Sequence, residues 1–199
     1  MAKLKFLYGT MNSKKTADLL AVAHSYSETG RYPLLVTSQL DTRSNHMISS
    51  RIGVSAKPDI ILKDGDTLVH AVDQHLEDKN YSIVLVDEAQ FLTINQIEQL
   101  ALLVDDYDLP VMAYGLKTDF RGTLFPASKR LLEISDEIEE IRSICWYCSR
   151  KATMNIRVDE SGNKVSEGKT VQIGGNLNYQ PVCRYHFVHG GNIHEAISE

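Results

Sequence analysis

The stretch Gly9-Thr10-Met11-Asn12-Ser13-Lys14-Lys15-Thr16 constrains the fold of this chain more than any other. It follows the run Lys3-Leu4-Lys5-Phe6-Leu7-Tyr8 and opens onto Ala17-Asp18-Leu19-Leu20-Ala21-Val22-Ala23, so the order is strand, loop, helix. A loop so placed that closes on Lys-Thr is the layout of a phosphate-binding P-loop. There, backbone N–H groups and the positive end of the helix dipole surround a polyphosphate. Lys15 then neutralises β- and γ-oxygens, and the Thr16 hydroxyl sits on Mg²⁺. The pattern G-x-x-x-x-G-K-[ST] is met at Gly9, Lys15 and Thr16. Lys14 stands at its second glycine and brings a Cβ and a cationic stem where backbone ordinarily approaches phosphate.

The segments that follow alternate between helix and strand. Leu19, Leu20, Val22, Ala23 and Tyr26 give a helix that Gly30 can end in the left-handed conformation, and Pro33-Leu34-Leu35-Val36-Thr37 reads as a buried strand. A helix between two short apolar runs is the βαβ unit of a parallel sheet. From Gln39 to Lys57 the periodicity lapses into loop, where Arg43 and Arg51 read either as anion ligands or as solvated surface. Asp59-Ile60-Ile61-Leu62 suggests a further strand, and Leu68, Val69, Val72 and Leu76 mark an amphipathic helix.

The second informative stretch is Ser82-Ile83-Val84-Leu85-Val86-Asp87-Glu88-Ala89-Gln90-Phe91. Four consecutive apolar β-formers make a fully buried strand, and its carboxyl end carries two acids. In a doubly wound sheet that end faces the ligand crevice beside the P-loop. Asp87 can then hold Mg²⁺, directly or through water, and Glu88 can face the reacting group. Thr93 with Gln96 is a capping-box start for a helix carrying Ile94, Ile97, Leu100, Ala101 and Val104. Pro110-Val111-Met112-Ala113-Tyr114 is the next strand, and the loop Gly115 to Pro126 returns to the crevice. Phe120 and Phe125 on that loop either line an aromatic pocket or anchor the loop to the core.

Near the C-terminus, Cys145-Trp146-Tyr147-Cys148 and Cys183-Arg184-Tyr185-His186 supply three thiolates and one imidazole at x₂ spacing, the ligand set of a closed tetrahedral Zn²⁺ site. With three cysteines in all, a disulfide framework is a poor fit and a metal a good one. Between the knuckles, Thr153 to Val158 and Lys169 to Ile173 flank a Gly-containing polar turn and suggest a two-stranded ribbon clipped by the ion. Four metal ligands and no open position make the zinc structural.

The 199 residues suffice for one full domain and a small appendage. A net charge of −5 speaks against a protein whose main business is wrapping nucleic acid, because such proteins gain most of their affinity from basic surface. The sequence shows neither a signal-peptide pattern nor a membrane-length apolar run, so the expectation is a cytoplasmic protein without membrane or nucleic-acid partners.

With these pieces in place, the chain resembles the type II thymidine kinases, a compact tetrameric class that joins a RecA-like P-loop domain to a zinc ribbon. The resemblance covers nearly the whole chain. It rests, in the family's order, on Gly9 to Thr16, Asp41-Thr42-Arg43, Ser50-Arg51-Ile52-Gly53, Asp87-Glu88-Ala89-Gln90-Phe91, Gly115 to Ser128, Gln172-Ile173-Gly174-Gly175 and Cys183-Arg184-Tyr185-His186. It implies an α/β fold whose parallel-sheet nucleotide domain spans 1–142, with a zinc ribbon and lasso loop binding the nucleoside over 143–199. It implies ATP-dependent phosphorylation of the 5′-hydroxyl of thymidine, with deoxyuridine a further candidate acceptor, in DNA precursor salvage.

Carried over by position, ATP and Mg²⁺ fall to Gly9, Thr10, Met11, Asn12, Ser13, Lys14, Lys15, Thr16, Asp87, Glu88, Ala89 and Gln90, with Glu88 the general base. The nucleoside falls to Phe91, Leu116, Phe120, Phe125, Thr170, Val171, Gln172 and Tyr179, with backbone atoms near Thr170 to Gln172 holding the base. Structural zinc falls to Cys145, Cys148, Cys183 and His186. A homotetramer and feedback binding of thymidine triphosphate in the substrate site are likewise implied. The departure at Lys14 leaves a nucleotide-binding form with impaired turnover as the alternative.

Overall fold

Alternation along the apolar strands sorts the interior into two layers. The structure is a computed structural model and describes residues 1–42, 45–76, 80–159, 161–168 and 178–190. The first part of the chain runs β1 (Leu4–Tyr8), α1 (Lys15–Glu28), β2 (Tyr32–Ser38), β3 (Ile48–Ser49), β4 (Ser55–Ala56), β5 (Ile60–Leu62), α2 (Leu68–Leu76) and β6 (Tyr81–Val86). A single 3-10 turn (Ala89–Phe91) precedes α3 (Ile94–Asp105), β7 (Val111–Gly115), α4 (Pro126–Ile134) and β8 (Glu137–Glu140). Strands β5-β2-β6-β7-β1-β8 form one sheet in that order, with every neighbouring pair parallel.

On one face Leu4, Phe6, Leu34, Val36, Val84, Val86, Val111 and Ala113 pack with Leu68 and Val72 of α2, Ile97, Leu100 and Leu103 of α3, and Leu131 of α4. On the other, Leu7, Leu35, Ile83, Leu85 and Tyr114 pack with Leu19, Leu20 and Ala23 of α1. Successive strand residues point to opposite faces, so apolar runs in both registers require helices on both sides. Burying each large side chain contributes roughly 1.5–3 kcal/mol. Right-handed crossovers explain the sides taken. From β1 the chain passes over β7 and β6 to reach β2, then works back through β6 and β7, and the reversed direction puts α1 opposite α2, α3 and α4. The carboxyl ends of β1, β6 and β7 therefore meet at one crevice, the place where open α/β sheets bind ligands.

Local signals set the helix ends. Gly30 at φ +72° closes α1, with Arg31 N–H donating to Tyr26 O and Gly30 N–H to Ser27 O, both at 3.0 Å, a Schellman stop. At the start of α3, Thr93 Oγ1 accepts from Gln96 N–H at 3.2 Å while Gln96 Oε1 accepts from Thr93 N–H at 3.0 Å, the reciprocal cap its sequence predicts. The described residues between 39 and 57 are mostly irregular, as expected, except that β3 and β4 pair as a short hairpin. Ile48 explains it: this side chain is buried among α1 residues and ties the loop down.

The C-terminal part carries β9 (Ser143–Ile144), β10 (Lys151–Ala152), β11 (Met154–Val158), β12 (Lys164–Val165), β13 (Asn178–Val182) and α5 (Arg184–His189). Strand β11 pairs antiparallel with β12 and with β13. The strand expected over Lys169–Ile173 lies outside the described residues. A small core of Cys145, Tyr147, Ile156, Val158, Val182 and Cys183 holds this unit. Among the described residues, no helix is long and apolar enough to cross a membrane.

Candidate active site and metal centre

The loop between β1 and α1 turns too tightly for side chains at its start. A Cβ on Gly9 would lie 2.3 Å from Ser13 Oγ and 2.6 Å from the Ile141 carbonyl oxygen, so only glycine fits there. Farther along, Asn12 (φ 60°) and Lys14 (φ 68°) take left-handed conformations. Lys14 thus occupies the backbone geometry for which the P-loop pattern specifies glycine, at a cost of about 1–2 kcal/mol for an L-side chain. Its exposed side chain caps none of the first-turn N–H groups of α1, the groups that in a P-loop meet phosphate. Buried Lys15 reaches back across the loop, its Nζ donating to Thr10 O at 2.7 Å and to Ser13 Oγ at 3.3 Å.

Strand β6 delivers the two acids beside this loop. Thr16 Oγ1 donates to Asp87 Oδ2 at 3.1 Å and lies 3.3 Å from Oδ1, so the hydroxyl and carboxylate share one small space. Burial first, and then the charge of Glu88, push the Asp87 carboxyl up to about 7, against the opposing pull of Thr16 and Lys15. A buried carboxylate held against its own ionisation, with a hydroxyl beside it, is a donor set that a hard divalent cation suits. Glu88 adopts φ 50°, and this left-handed residue ends the strand and starts the 3-10 turn. Its carboxylate accepts from Gln90 Nε2, while Gln90 Oε1 accepts from Leu116 N–H at 2.9 Å. Gly115 makes room for this bridge, since a Cβ there would come within 2.8 Å of Gln90 Oε1.

The aromatic residues form two edge-to-face pairs. Phe91 and Phe125 have ring centroids 6.2 Å apart, and Phe120 and Tyr179 are 6.5 Å apart. Phe120 and Phe125 are both largely buried, so each anchors its loop as well as offering a ring face. Leu116 is fixed from both sides, its N–H by Gln90 and its carbonyl by the Ser128 hydroxyl at 2.6 Å. The expected contributors Thr170, Val171 and Gln172, along with Gly174, Gly175 and Arg43, lie outside the described residues. Arg51 is exposed on the β3–β4 turn.

The four metal-ligand candidates converge. Their ligand atoms all lie within 4.8 Å of one another, with His186 Nδ1 3.4 Å from the sulfurs of both Cys145 and Cys183, and Cys148 and Cys183 sulfurs 3.9 Å apart. A tetrahedral ion with Zn–S about 2.3 Å and Zn–N about 2.0–2.1 Å needs edges of about 3.8 Å between sulfurs and about 3.5 Å from sulfur to nitrogen. These three separations match. Burial opposes ionisation of the Cys183 thiol most strongly, yet N–H donation from His186 and Tyr185 and its neighbouring thiols outweigh it, leaving the pKa below the usual value. The residues present therefore fit structural zinc.

Four residues without a role in the sequence reading join the site. Asn155 Oδ1 accepts from Met11 N–H at 2.8 Å, and the Ser143 hydroxyl meets Thr10 Oγ1 at 2.5 Å. The Arg157 guanidinium lies over the Phe120 ring, 4.2 Å from its centroid, and Ser128 holds Leu116. Strand alternation in Met154-Asn155-Ile156-Arg157-Val158 put Asn155 and Arg157 on one face, but only the tertiary structure tells what that face meets.

Comparison with known proteins follows the same lines. The sequence profile of the family described as thymidine kinase matches residues 2–187. A thymidine kinase of Streptococcus gordonii (strain Challis) is 50% identical over 188 residues, covering 94% of this chain and 96% of that protein. A thymidine kinase of Streptococcus agalactiae serotype Ia is 50% identical over 94% of this chain and 97% of its own length, and one of Streptococcus pyogenes serotype M3 is 49% identical over the same shares.

Proposed function

Because this chain belongs to the thymidine kinase family, we propose that it transfers the γ-phosphoryl group of ATP to the 5′-hydroxyl of thymidine. The observation that carries the reading is the meeting, at one crevice, of the β1–α1 loop with Lys15 folded over it and the Asp87-Glu88 end of β6. Residues 1–142 carry the nucleotide site and one wall of the nucleoside pocket, and 143–199 supply the ribbon that closes over the nucleoside. In this reading the loop from Gly9 to Thr16 holds the phosphates and Lys15 offsets charge on the transferring group. Thr16 and Asp87 would hold Mg²⁺, which when bound neutralises the β- and γ-oxygens. Glu88 accepts the proton of the 5′-hydroxyl as its oxygen bonds to the γ-phosphorus and the bond to the β–γ bridging oxygen breaks, releasing ADP.

Ala89 and Gln90 complete the acidic turn. The base lies among Phe91, Leu116, Phe120, Phe125 and Tyr179, together with Thr170, Val171 and Gln172. Cys145, Cys148, Cys183 and His186 would hold zinc as a clamp on the ribbon that carries this pocket. A cytoplasmic homotetramer, inhibited by thymidine triphosphate in the nucleoside site, belongs to the same reading and rests on the family resemblance. Strain at Lys14 does not by itself favour the non-catalytic alternative, since the loop keeps its left-handed form with lysine in place. The test is an assay with ATP, Mg²⁺ and a panel of nucleosides. Thymidine 5′-monophosphate should form, and no product from either thymidine or deoxyuridine would refute the assignment.

A further inference from the structure

The phosphate loop is held from outside its own sheet. Met11 N–H, in the middle of the loop, donates to Asn155 Oδ1 at 2.8 Å across 144 residues of sequence. One residue earlier, Thr10 Oγ1 meets the Ser143 hydroxyl at 2.5 Å. Asn155 is 3% exposed, so the bond is shielded from water. Gly9, Thr10, Thr118, Thr153 and Asn155 line one narrow cleft at this junction.

This anchoring acts where the loop needs it. Asn12 and Lys14 both sit at positive φ without being glycine, and such conformations persist when the surroundings over-determine them. Fixing the Thr10–Met11 peptide plane fixes the approach of the chain to Asn12. The N–H groups that follow are those a phosphate would meet, and their aim decides its affinity.

The same strand reaches the aromatic pocket. Asn155 and Arg157 share one face of β11, two residues apart. Arg157 stacks on Phe120, whose ring faces Tyr179, and Arg157 pairs with Tyr179 across the β11–β13 ladder. One stiff strand thus touches the phosphate loop through residue 155 and the nucleoside-pocket aromatics through residue 157.

We propose that Asn155 is a positioning residue that sets the phosphate loop for ATP and couples it to the nucleoside pocket, so that occupation of one site tightens binding at the other. The inference rests on the ATP-and-thymidine reading above and adds to it a coupling route and the residue that carries it. Linkage requires the coupling to be reciprocal.

The test compares wild type with Asn155→Ala and Asn155→Asp in the zinc-loaded protein. Hydrogen exchange at the Met11 amide is read without ligand, and affinity for a non-hydrolysable ATP analogue is read with and without thymidine. In Asn155→Ala the Met11 amide should exchange about tenfold faster or more, the KM for ATP should rise about tenfold with a smaller change in kcat, and thymidine should no longer improve analogue binding. Asn155→Asp keeps an acceptor oxygen, so it should restore Met11 protection even though its charge weakens nucleotide binding. Unaltered Met11 exchange in Asn155→Ala, or an unaltered effect of thymidine on analogue affinity, would overturn the proposal. Wild-type protein that binds no ATP would instead refute the function, and Met11 exchange would still decide the anchoring.

Discussion

Gln90 holds Glu88 and Leu116 with the two ends of one buried amide: its Nε2 donates to the Glu88 carboxylate, and its Oε1 accepts from Leu116 N–H at 2.9 Å. The sequence reading grouped Gln90 with the nucleotide ligands. Its contacts tie the expected base to the loop after β7, where Gly115 supplies the clearance. Gln90→Met, which fills the same space without either bond, should lower kcat by about 10²-fold through loss of base alignment. Gln90→Glu keeps an acceptor for Leu116 but sets a second carboxylate against Glu88, and should be at least as impaired. Steady-state kinetics check both variants, and wild-type kcat in Gln90→Met would remove Gln90 from the account.

Lys14 tests the backbone argument at the P-loop. Lys14→Gly relieves an unfavourable left-handed residue, offset in part by the greater freedom of glycine in the unfolded chain. A net gain of under about 1 kcal/mol corresponds to a rise in Tm of about 2 °C for a chain of this size. Lys14→Ala keeps the Cβ and should bring no rise. Thermal unfolding of the three proteins decides the matter, and a lower Tm for Lys14→Gly would contradict it.

The pH dependence follows from Asp87. Its carboxyl is raised from 3.8 to about 7 by burial and by Glu88, so between these values the folded protein holds a proton that the unfolded chain releases. Stability then falls as pH rises through that window and levels off above it. Without added Mg²⁺, the Tm should drop between about pH 5 and pH 8 more steeply for wild type than for Asp87→Asn. Added Mg²⁺ should flatten the wild-type curve, because a cation beside the carboxylate favours its charged form. Parallel curves for the two proteins would show that the raised Asp87 proton is not the cause.

Much of this was legible from the sequence, and for physical reasons. Phe6-Leu7, Leu34-Leu35 and Ile83-Val84-Leu85 are apolar in both registers, which demands a sheet covered on both faces. Gly9 and Asp87-Glu88 mark strand ends and Lys15 a helix start by residue type alone, and the cysteine spacing marks the metal cluster. What escaped were contacts between distant segments: Met11 with Asn155, Thr10 with Ser143, and Phe120 with Arg157. No local periodicity encodes them, because they depend on how the ribbon docks against the sheet's carboxyl edge. The hairpin of β3 and β4 was likewise hidden, since one buried Ile48 in a polar stretch carries no pattern.

The metal cluster gives a separable prediction. Cys183→Ser removes one of the four candidate ligands, so the protein should lose about one zinc per chain and bind thymidine about tenfold or more weakly. ATP affinity should fall less, because Lys15, Thr16 and Asp87 belong to the parallel-sheet part and feel the ribbon only through contacts such as that of Asn155. Elemental analysis with calorimetry of both ligands reads the split. Zinc-free protein with unimpaired thymidine binding would contradict both the cluster and the pocket assignment.

In the proposed reaction Glu88, which follows shortly after the last residue of β6, removes the proton from the hydroxyl that attacks phosphorus. Glu88→Gln keeps the shape of the side chain and removes the base. The most direct measurement is the single-turnover rate of thymidine phosphorylation with saturating ATP and Mg²⁺, beside the Kd for thymidine. The rate should be lower by about 10²–10⁴ with the Kd nearly unchanged. A rate close to that of the wild type would place the base elsewhere and reduce Glu88 to a turn residue.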